Sequence, residues 1–307
     1  MSRLLEGKVA IVTGAGHGIG RGHALELAKH GATVIVNDLG TSVHGEGTGR
    51  DAEKVVEIIK ERGGEAVPDF ADVSDEDQAA ALVEGAFDTF GKLDILVNNA
   101  GIVRDRAIWN MSAEDFDKVM AVHVRGTWLT CRAAARRWRA QAKAGDGKVY
   151  GRIINTTSGA GLLGNFGQTN YAAAKAAIVG LSLTLNLELA GIGVTTNVIG
   201  PGGLTRISAT LSDRPAPLEP DERPEEEFDP QDPSLCSPVV AWLASEEAGH
   251  VSGQVIRAMG EHIHLMQGWT EYRTVSNHGR RWDATKLGAI MATDVFGTRA
   301  AGLRLPS

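Results

Sequence analysis

Short apolar runs alternate with longer amphipathic stretches along most of this chain. The apolar runs lie at 9–13, 33–37, 65–70, 93–98, 152–157, 194–199 and 254–258, and helical spacing marks 20–30, 51–62, 75–90, 113–122, 127–143 and 171–189. Because the apolar runs rarely alternate with polar residues, they are typical of strands buried on both faces. The pattern predicts an α/β fold with helices on both faces of a doubly wound parallel sheet of about seven strands.

Two segments interrupt this rhythm. Residues 39–50 are rich in glycine, and residues 204–233 are acidic and rich in proline. Loops longer than about 15 residues are usually functional or disordered. We therefore predict a domain over 1–260 whose insert at about 204–233 is either a lid or a plain disordered loop. An extension over 261–307 packs on the same domain or on a neighbouring subunit.

Charge is unevenly distributed along the chain. The net charge is −7, and the segment 213–233 holds nine acidic residues against two arginines, so the remainder is neutral. A protein that binds nucleic acid through phosphate contacts needs a basic footprint, which this composition lacks. We expect no nucleic-acid partner.

The remaining composition bears on the compartment. No uninterrupted apolar run reaches the roughly 18 residues of a membrane span, and the first residues lack the separate regions of a signal peptide. The two cysteines, Cys131 and Cys236, lie far apart and form no C-x-x-C pair. We expect reduced thiols, no metal site, no membrane association and a cytoplasmic location.

A glycine-rich turn follows the first predicted strand. Residues 13–20 read Thr-Gly-Ala-Gly-His-Gly-Ile-Gly and lead into a helix. Glycines there permit a tight turn, and backbone N–H groups with the helix amino end approach a pyrophosphate closely. We predict a Rossmann-like dinucleotide site that includes Gly14, Gly18, Ile19 and Gly20; a purely structural turn is the alternative.

Two carboxylates follow the next strands. Asp38, with Leu39 after it, ends the second strand about 20 residues beyond the glycine turn, where a carboxylate accepts both hydrogen bonds of the adenosine ribose and repels the extra phosphate of NADP. Asp72 and Val73 follow the third strand, where a carboxylate can bind the adenine amino group. Capping of a strand end is the alternative for Asp38, and a turn is the alternative for Asp72.

The strongest indication of chemistry is Tyr171 followed by Lys175, with Ser158 upstream at the end of a strand. Residues four apart share a helix face, so the ammonium can lower the pKa of the phenol from about 10. The phenol then serves as a general acid/base, and Ser158 donates to the substrate oxygen.

Taken together, these motifs resemble the short-chain dehydrogenase/reductase superfamily over residues 7–260. The shared set is the glycine turn, Asn98-Asn99-Ala100-Gly101, Ser158, Tyr171, Lys175 and Pro201-Gly202. The resemblance implies NAD as cofactor, and it implies that Asn99, Pro201 and Gly202 contact the cofactor. It also implies that Tyr171 and Lys175 contact the cofactor, with Lys175 holding the nicotinamide ribose.

One position departs from the superfamily pattern. Its members usually place an asparagine of a proton relay where this chain has His123, in the run Val-His-Val-Arg-Gly. We predict either a relay role or a structural role for this imidazole.

The runs around His123, Asp38, Arg104 and Phe166 resemble the (3R)-hydroxyacyl-CoA dehydrogenase domain of the peroxisomal multifunctional β-oxidation enzyme and its bacterial single-domain relatives. The resemblance implies an NAD-dependent oxidoreductase of a secondary alcohol, most simply a 3-hydroxyacyl-CoA, including one with a bulky or steroid-derived acyl group. It also implies a homodimer or homotetramer. The alternatives are a hydroxysteroid or other bulky-alcohol dehydrogenase, and a non-catalytic NAD-binding protein.

Basic side chains are the candidates for meeting the phosphates of CoA. Arg132, Arg136, Arg139 and Lys143 form one stripe on a helix, and Arg104 and Arg106 lie upstream. A solvated or salt-bridged face is the alternative for the stripe.

Overall fold

A computed structural model describes residues 3–209, 218–223 and 228–271, with short stretches at 274–276, 278–279, 282 and 284–287. The chain divides into two compact units, Met1–Met266 and Gln267–Ser307. Residues 210–217 and 224–227 of the predicted insert, and most of the predicted extension, lie outside the described residues. The predicted domain boundary at residue 260 stays a prediction.

The first unit is built on one sheet. Its strands are β1 (Val9–Thr13), β2 (Thr33–Asn37), β3 (Glu65–Asp69), β4 (Ile95–Asn98), β5 (Gly151–Thr156), β6 (Val194–Pro201), β7 (Val255–Met259) and β8 (His262–Met266). Their order across the sheet is β3-β2-β1-β4-β5-β6-β7-β8, and only β8 pairs antiparallel. The predicted parallel Rossmann-like sheet is confirmed, with an eighth strand added because the chain turns back at Gly260 and pairs with β7.

Nine α-helices lie in the part of the chain that the structure describes. They are α1 (Gly18–Lys29), α2 (Asp51–Glu61), α3 (Glu76–Phe90), α4 (Ala113–Met120), α5 (Gly126–Ala144), α6 (Gly159–Leu163), α7 (Thr169–Leu189), α8 (Arg206–Ala209) and α9 (Ser237–Leu243). A π-helical turn, Ala121–Arg125, joins α4 to α5 and contains His123. Such turns are rare and occur frequently at functional sites.

Helices cover both faces of the sheet because both faces are apolar. On one face, Val12 of β1 packs in a cluster with Leu25 of α1 and Val240 of α9. On the other face, its neighbour Ile11 packs with Leu82 of α3 and Trp138 of α5. The chain order reverses between β1 and β4, so the carboxyl ends of these strands open a crevice of the kind in which doubly wound folds bind ligands.

Helix α7 and the turn after it are more apolar than the sequence analysis expected. Among the residues searched, the helix Thr169–Ile192 is long and apolar enough to cross a membrane, with a mean hydropathy of 1.4 over its best 18 residues. The criterion of an uninterrupted apolar run does not detect this helix, because Lys175 and Glu188 divide the segment. The helix packs against β6, although only 22% of that window is buried, and one such helix is weak evidence for a membrane span.

Candidate active site

The glycine turn after β1 packs too closely for side chains. A Cβ on Gly20 would lie 2.1 Å from the carbonyl oxygen of Gly14, and a Cβ on Gly14, whose φ is +63°, would lie 2.7 Å from Cα of Ala100. The Asn99 amide donates to the carbonyl oxygens of Thr13 (3.1 Å) and Gly14 (3.0 Å). The side-chain amide of Asn99 therefore fixes the shape of the turn by holding two of the turn's backbone carbonyls.

A cavity of about 370 Å³ opens beside this turn. Nine residues predicted for the cofactor line it: Gly14, Gly18, Ile19, Gly20, Asp38, Leu39, Asp72, Val73 and Asn99. The glycine-rich loop after β2 also contributes Thr41, Ser42, Val43 and Gly45, which the sequence analysis did not place here. Pro201 and Gly202, which were also predicted to contact the cofactor, are not among the residues that line the cavity. They lie just upstream of residues 204–207, which line it.

Asp38 organises the loops on both sides of it. Its Oδ2 accepts from the amide of Gly16 and its Oδ1 from the amide of Gly40, both at 2.7 Å. Each carboxylate oxygen has a second lone pair, so these bonds leave acceptor capacity toward the cavity. Asp38 thus lines the cavity and holds the loops on both sides of it, and its contact with the ribose stays a prediction.

Asp72 stabilises a turn, which was the alternative to its predicted role in binding adenine. Its Oδ1 accepts from the backbone N–H (2.8 Å) and the hydroxyl (2.7 Å) of Ser74, immediately before α3. The residue nevertheless lines the cavity, so the two readings are compatible.

Ser158, Tyr171 and Lys175 come together at the ends of β5 and α7. Ser158 follows β5 and is the N-cap of α6, where its hydroxyl accepts from the backbone N–H of Ala160 at 3.3 Å, and its side chain lies close enough to Tyr171 to lower the pKa of the phenol. The Lys175 ammonium donates to the carbonyl oxygen of Thr156 at 2.8 Å and lies 5.7 Å from the centre of the tyrosine ring. The three residues thus form one group at the carboxyl end of β5, in which Lys175 is buried and Ser158 and Tyr171 are partly buried.

Burial controls the ionisation of this group. It raises the pKa of Tyr171 to about 12, because loss of solvent and the nearby Asp105 charge outweigh the hydrogen bond from Ser158. It also lowers the pKa of Lys175 to about 7. The expectation that the ammonium lowers the phenol pKa is therefore not met, since desolvation disfavours the charged form of both groups.

His123 lies edge-on to Tyr171, with 5.2 Å between ring centres. Its Nε2 is 2.8 Å from the carbonyl oxygen of Ile102, and its Nδ1 is buried with no hydrogen-bond partner. Burial and the Lys175 charge lower the pKa of His123 to about 3, so the imidazole is neutral at ordinary pH. It cannot act as a charged acid, and its relay role stays a prediction.

Asp105 is a site residue that sequence reasoning missed. Its Oδ2 accepts from the amide of Gln168 at 2.8 Å, and its Oδ1 is buried without a partner. Burial raises the pKa of this carboxyl, and its charge in turn raises the pKa of Tyr171. An acid between Arg104 and Arg106 looks like a surface residue in the sequence. The isolated β-bridge between Arg106 and Gln168 brings it inward.

Two of the candidate CoA-binding cations, Arg104 and Arg132, form ion pairs within the protein. Arg104, with 14% of its side chain exposed, pairs with Asp115 (3.2 Å) and Glu46 (3.5 Å), and Arg132 pairs with Glu76 (2.6 Å). The salt-bridged alternative is thus confirmed for Arg132. His262 and His264 lie 5.8 Å apart on β8, and among the residues searched no group of three or more potential metal ligands occurs.

Comparison with known proteins agrees with this geometry. Residues 8–215 match the short chain dehydrogenase family. Hydroxyacyl-CoA dehydrogenase ChsB1 of Mycobacterium tuberculosis is 42% identical over 300 residues, which cover 96% of this chain and 90% of that protein. Peroxisomal multifunctional enzyme type 2 of Mus musculus is 41% identical over 81% of this chain but only 31% of its own length.

A solved structure shares the whole architecture. A short chain dehydrogenase from Mycobacterium avium superposes with a TM-score of 0.84 at 47% sequence identity, over 99% of this chain and 98% of that one. The Rossmann-like sheet and the Ser158, Tyr171 and Lys175 group define an oxidoreductase. This chain belongs to the short-chain dehydrogenase family.

Proposed function

We propose that this protein is an NAD-dependent dehydrogenase that oxidises 3-hydroxyacyl-CoA thioesters. The observation that carries the proposal is the grouping of Ser158 and Tyr171 with the buried Lys175, whose ammonium lies one helical turn beyond Tyr171 and 5.7 Å from the centre of its ring. The similarity of nearly the whole chain to a protein named hydroxyacyl-CoA dehydrogenase supports the choice of substrate.

The residues around the cavity fit NAD. The turn at Gly14 and Gly20 has no room for a Cβ, and its backbone amides begin α1, where a pyrophosphate binds favourably. Asp38 stands at the end of β2 with acceptor capacity toward the cavity, where it would hold the ribose diol and repel a 2′-phosphate. The Lys175 ammonium lies beside the same strand ends and would hold the nicotinamide ribose.

The reaction divides between cofactor and protein. The residues around the cavity would hold NAD, which would supply the acceptor for the hydride of the alcohol carbon. The Tyr171 phenolate oxygen takes the hydroxyl proton as the C–O bond becomes a carbonyl, and in the reverse direction the phenol returns it. Ser158 holds the substrate oxygen while it carries partial negative charge. Burial, with a smaller contribution from the Asp105 charge, raises the pKa of Tyr171 and so keeps the phenol protonated, as its role as an acid requires.

A turnover screen tests this function. The purified enzyme would be given NAD or NADP with 3-hydroxyacyl-CoA thioesters of short, long and steroid-derived acyl groups, beside free hydroxysteroids, and NADH formation would be followed by absorbance. We expect turnover of thioesters with NAD. Turnover of free steroids alone would select the bulky-alcohol dehydrogenase, and binding of NADH without turnover of any alcohol would select the non-catalytic alternative.

We also propose a homodimer or homotetramer in the cytoplasm. Support for self-association comes from exposed apolar side chains on regular elements, Leu187 on α7 (80% exposed) and Ile263 and Leu265 on β8 (67% and 69%). Light scattering after gel filtration tests the assembly, and a monomer at micromolar concentration would reject it.

A further inference from the structure

Part of the acidic insert lies directly on the amino end of α1. Glu219 accepts a hydrogen bond from the backbone N–H of Gly18 at 2.7 Å, and its other carboxylate oxygen lies 2.6 Å from Nδ1 of His17. Two residues further on, Asp221 pairs with Arg21 of α1, and the two side chains are only 11% and 8% exposed. The insert is therefore docked here rather than solvated along its whole length.

The groups that hold Glu219 belong to the predicted anion site. Gly18 is the first residue of α1 and its amide has no partner within the helix, so together with the helix dipole it attracts an anion. Leu218 and Glu219 line the same cavity as the glycine turn. A carboxylate of the protein thus takes the hydrogen bond that a pyrophosphate oxygen would accept.

The charges around His17 favour this arrangement. The imidazole lies between Glu219 and Asp51, whose Oδ2 is 3.2 Å from Nε2, and Arg206 also acts on the ring. The hydrogen bonds to the two carboxylates raise the pKa of His17 against burial and Arg206, and the same contacts with the Gly18 amide lower the pKa of Glu219. Glu219 is therefore ionised, as a pyrophosphate is.

We propose that Glu219 occupies the anion site of the glycine turn in the protein without nucleotide, and that residues 218–222 form an autoinhibitory contact that must withdraw before a dinucleotide binds. Two like charges cannot share the Gly18 amide at hydrogen-bond distance. The ion pair between Asp221 and Arg21 supplies a second anchor, so withdrawal costs the protein both contacts and weakens nucleotide affinity. This inference rests on the nucleotide-binding part of the proposed function.

Charge removal at Glu219 tests the contact. Glu219→Gln keeps the size of the side chain but removes its charge, and Glu219→Ala removes the acceptor altogether. Glu247→Gln is the matched control, because Glu247 is an exposed acid outside the cavity. The dissociation constants of NADH and ADP-ribose would be measured by fluorescence and calorimetry on the purified full chain, without substrate.

We expect both Glu219 variants to bind NADH and ADP-ribose about tenfold or more tightly than the wild type, and the control variant to match the wild type. Adenosine, which has no pyrophosphate, should bind all four proteins equally. Unchanged or weaker NADH binding in both variants would overturn the inference, and so would an equal gain for adenosine. If no protein in the series bound NADH or NADPH, the nucleotide-binding part of the proposed function would fail instead.

Discussion

At the scale of single residues, the proton chemistry of this site is governed by burial. The pKa of Tyr171 is raised to about 12 and that of Lys175 lowered to about 7, so near neutral pH the phenol is protonated and the amine is about half charged. Such a pair is ready to give a proton to a ketone oxygen. To oxidise an alcohol, the phenol must first release its proton.

Replacing Tyr171 by phenylalanine isolates that proton. The variant keeps the ring that packs beside His123 but loses the oxygen that Ser158 binds. We expect turnover to fall by about 10²- to 10⁴-fold, the usual contribution of general acid/base catalysis, while the dissociation constant of NADH changes little. Steady-state kinetics and a fluorescence titration measure the two quantities. Residual activity within tenfold of the wild type would remove Tyr171 from its role.

The raised pKa of Tyr171 also sets the direction of the pH dependence. Below its pKa of about 12, the phenolate fraction grows about tenfold with each pH unit, so kcat/KM for alcohol oxidation should rise from pH 7 to 10. Ketone reduction uses the protonated phenol and should not rise over that range. Parallel pH profiles with both substrates measure this difference, and an oxidation profile that is flat above pH 7 would contradict it.

Asp38 determines cofactor preference in our proposal, although it also holds two loop amides. We expect the wild type to prefer NAD over NADP, and Asp38→Asn to narrow the preference by about tenfold or more, because it removes the repulsion of a 2′-phosphate. The ratio of kcat/KM for the two cofactors is the measurement. Equal efficiency with NADP in the wild type would show that the carboxylate does not face the ribose.

At the scale of elements, strands and long helices were predictable and the local departures were not. Residues 9–12 and 34–36 are apolar because both faces of their strands are covered, and the structure places β1 at 9–13 and β2 at 33–37, as predicted. The π-helical turn at Ala121–Arg125 escaped prediction because its hydrogen-bond pattern has no signature in hydrophobic spacing. The same holds for Glu219, which looks solvated in sequence because its partner, Gly18, is some 200 residues away.

The glycine turn is the element whose packing can be tested most directly. A Cβ on Gly20 would lie within 3 Å of three atoms, the nearest being the Gly14 carbonyl oxygen at 2.1 Å and Asn99 Nδ2 at 2.4 Å, so the turn must move in Gly20→Ala. We expect weaker NADH binding by at least about tenfold and a loss of about 1–3 kcal/mol of stability from overpacking. Calorimetric titration and urea unfolding measure the two effects.

Gly85→Ala is the control for that variant. Gly85 lies inside α3, where a Cβ would meet nothing within 4 Å, so the substitution should stabilise the protein by about 0.5–1 kcal/mol through helix propensity. Its NADH affinity should equal that of the wild type. Unimpaired cofactor binding by Gly20→Ala would show that the turn adjusts without cost.

At the scale of the whole molecule, the apolar layers on both sides of the sheet enclose polar groups that must stay neutral. His23 of α1 and His123 of the π-helical turn are both fully enclosed, and burial lowers the pKa of each to about 3. One lies on the α1 side of the sheet beside Ser237, and the other lies beside Tyr171. Acid sensitivity is therefore a property of the core and the site together.

The sign of this effect follows from proton uptake. Between pH 6.5 and 3 the unfolded chain binds a proton at each of these histidines and the folded protein does not, so stability falls as the pH falls. Each histidine costs about 1.4 kcal/mol per pH unit. His17, whose folded pKa is raised, adds stability that is already complete below pH 6.5, so its contribution stays constant in that window.

Urea unfolding at several pH values between 6.5 and 5 tests this prediction. The loss in the wild type from the two histidines together should steepen from about half of 2.7 kcal/mol per pH unit at pH 6.5, where the unfolded imidazoles are half protonated, to nearly the full ~2.7 at pH 5. His23→Met should show about half of each slope, because one titrating group has gone. At neutral pH the variant loses the hydrogen bond to Ser237, so its absolute stability is not the quantity to compare. The quantity to compare is the slope of the unfolding free energy against pH. Identical slopes in the two proteins would mean that His23 is protonated in the folded state, in conflict with its complete burial.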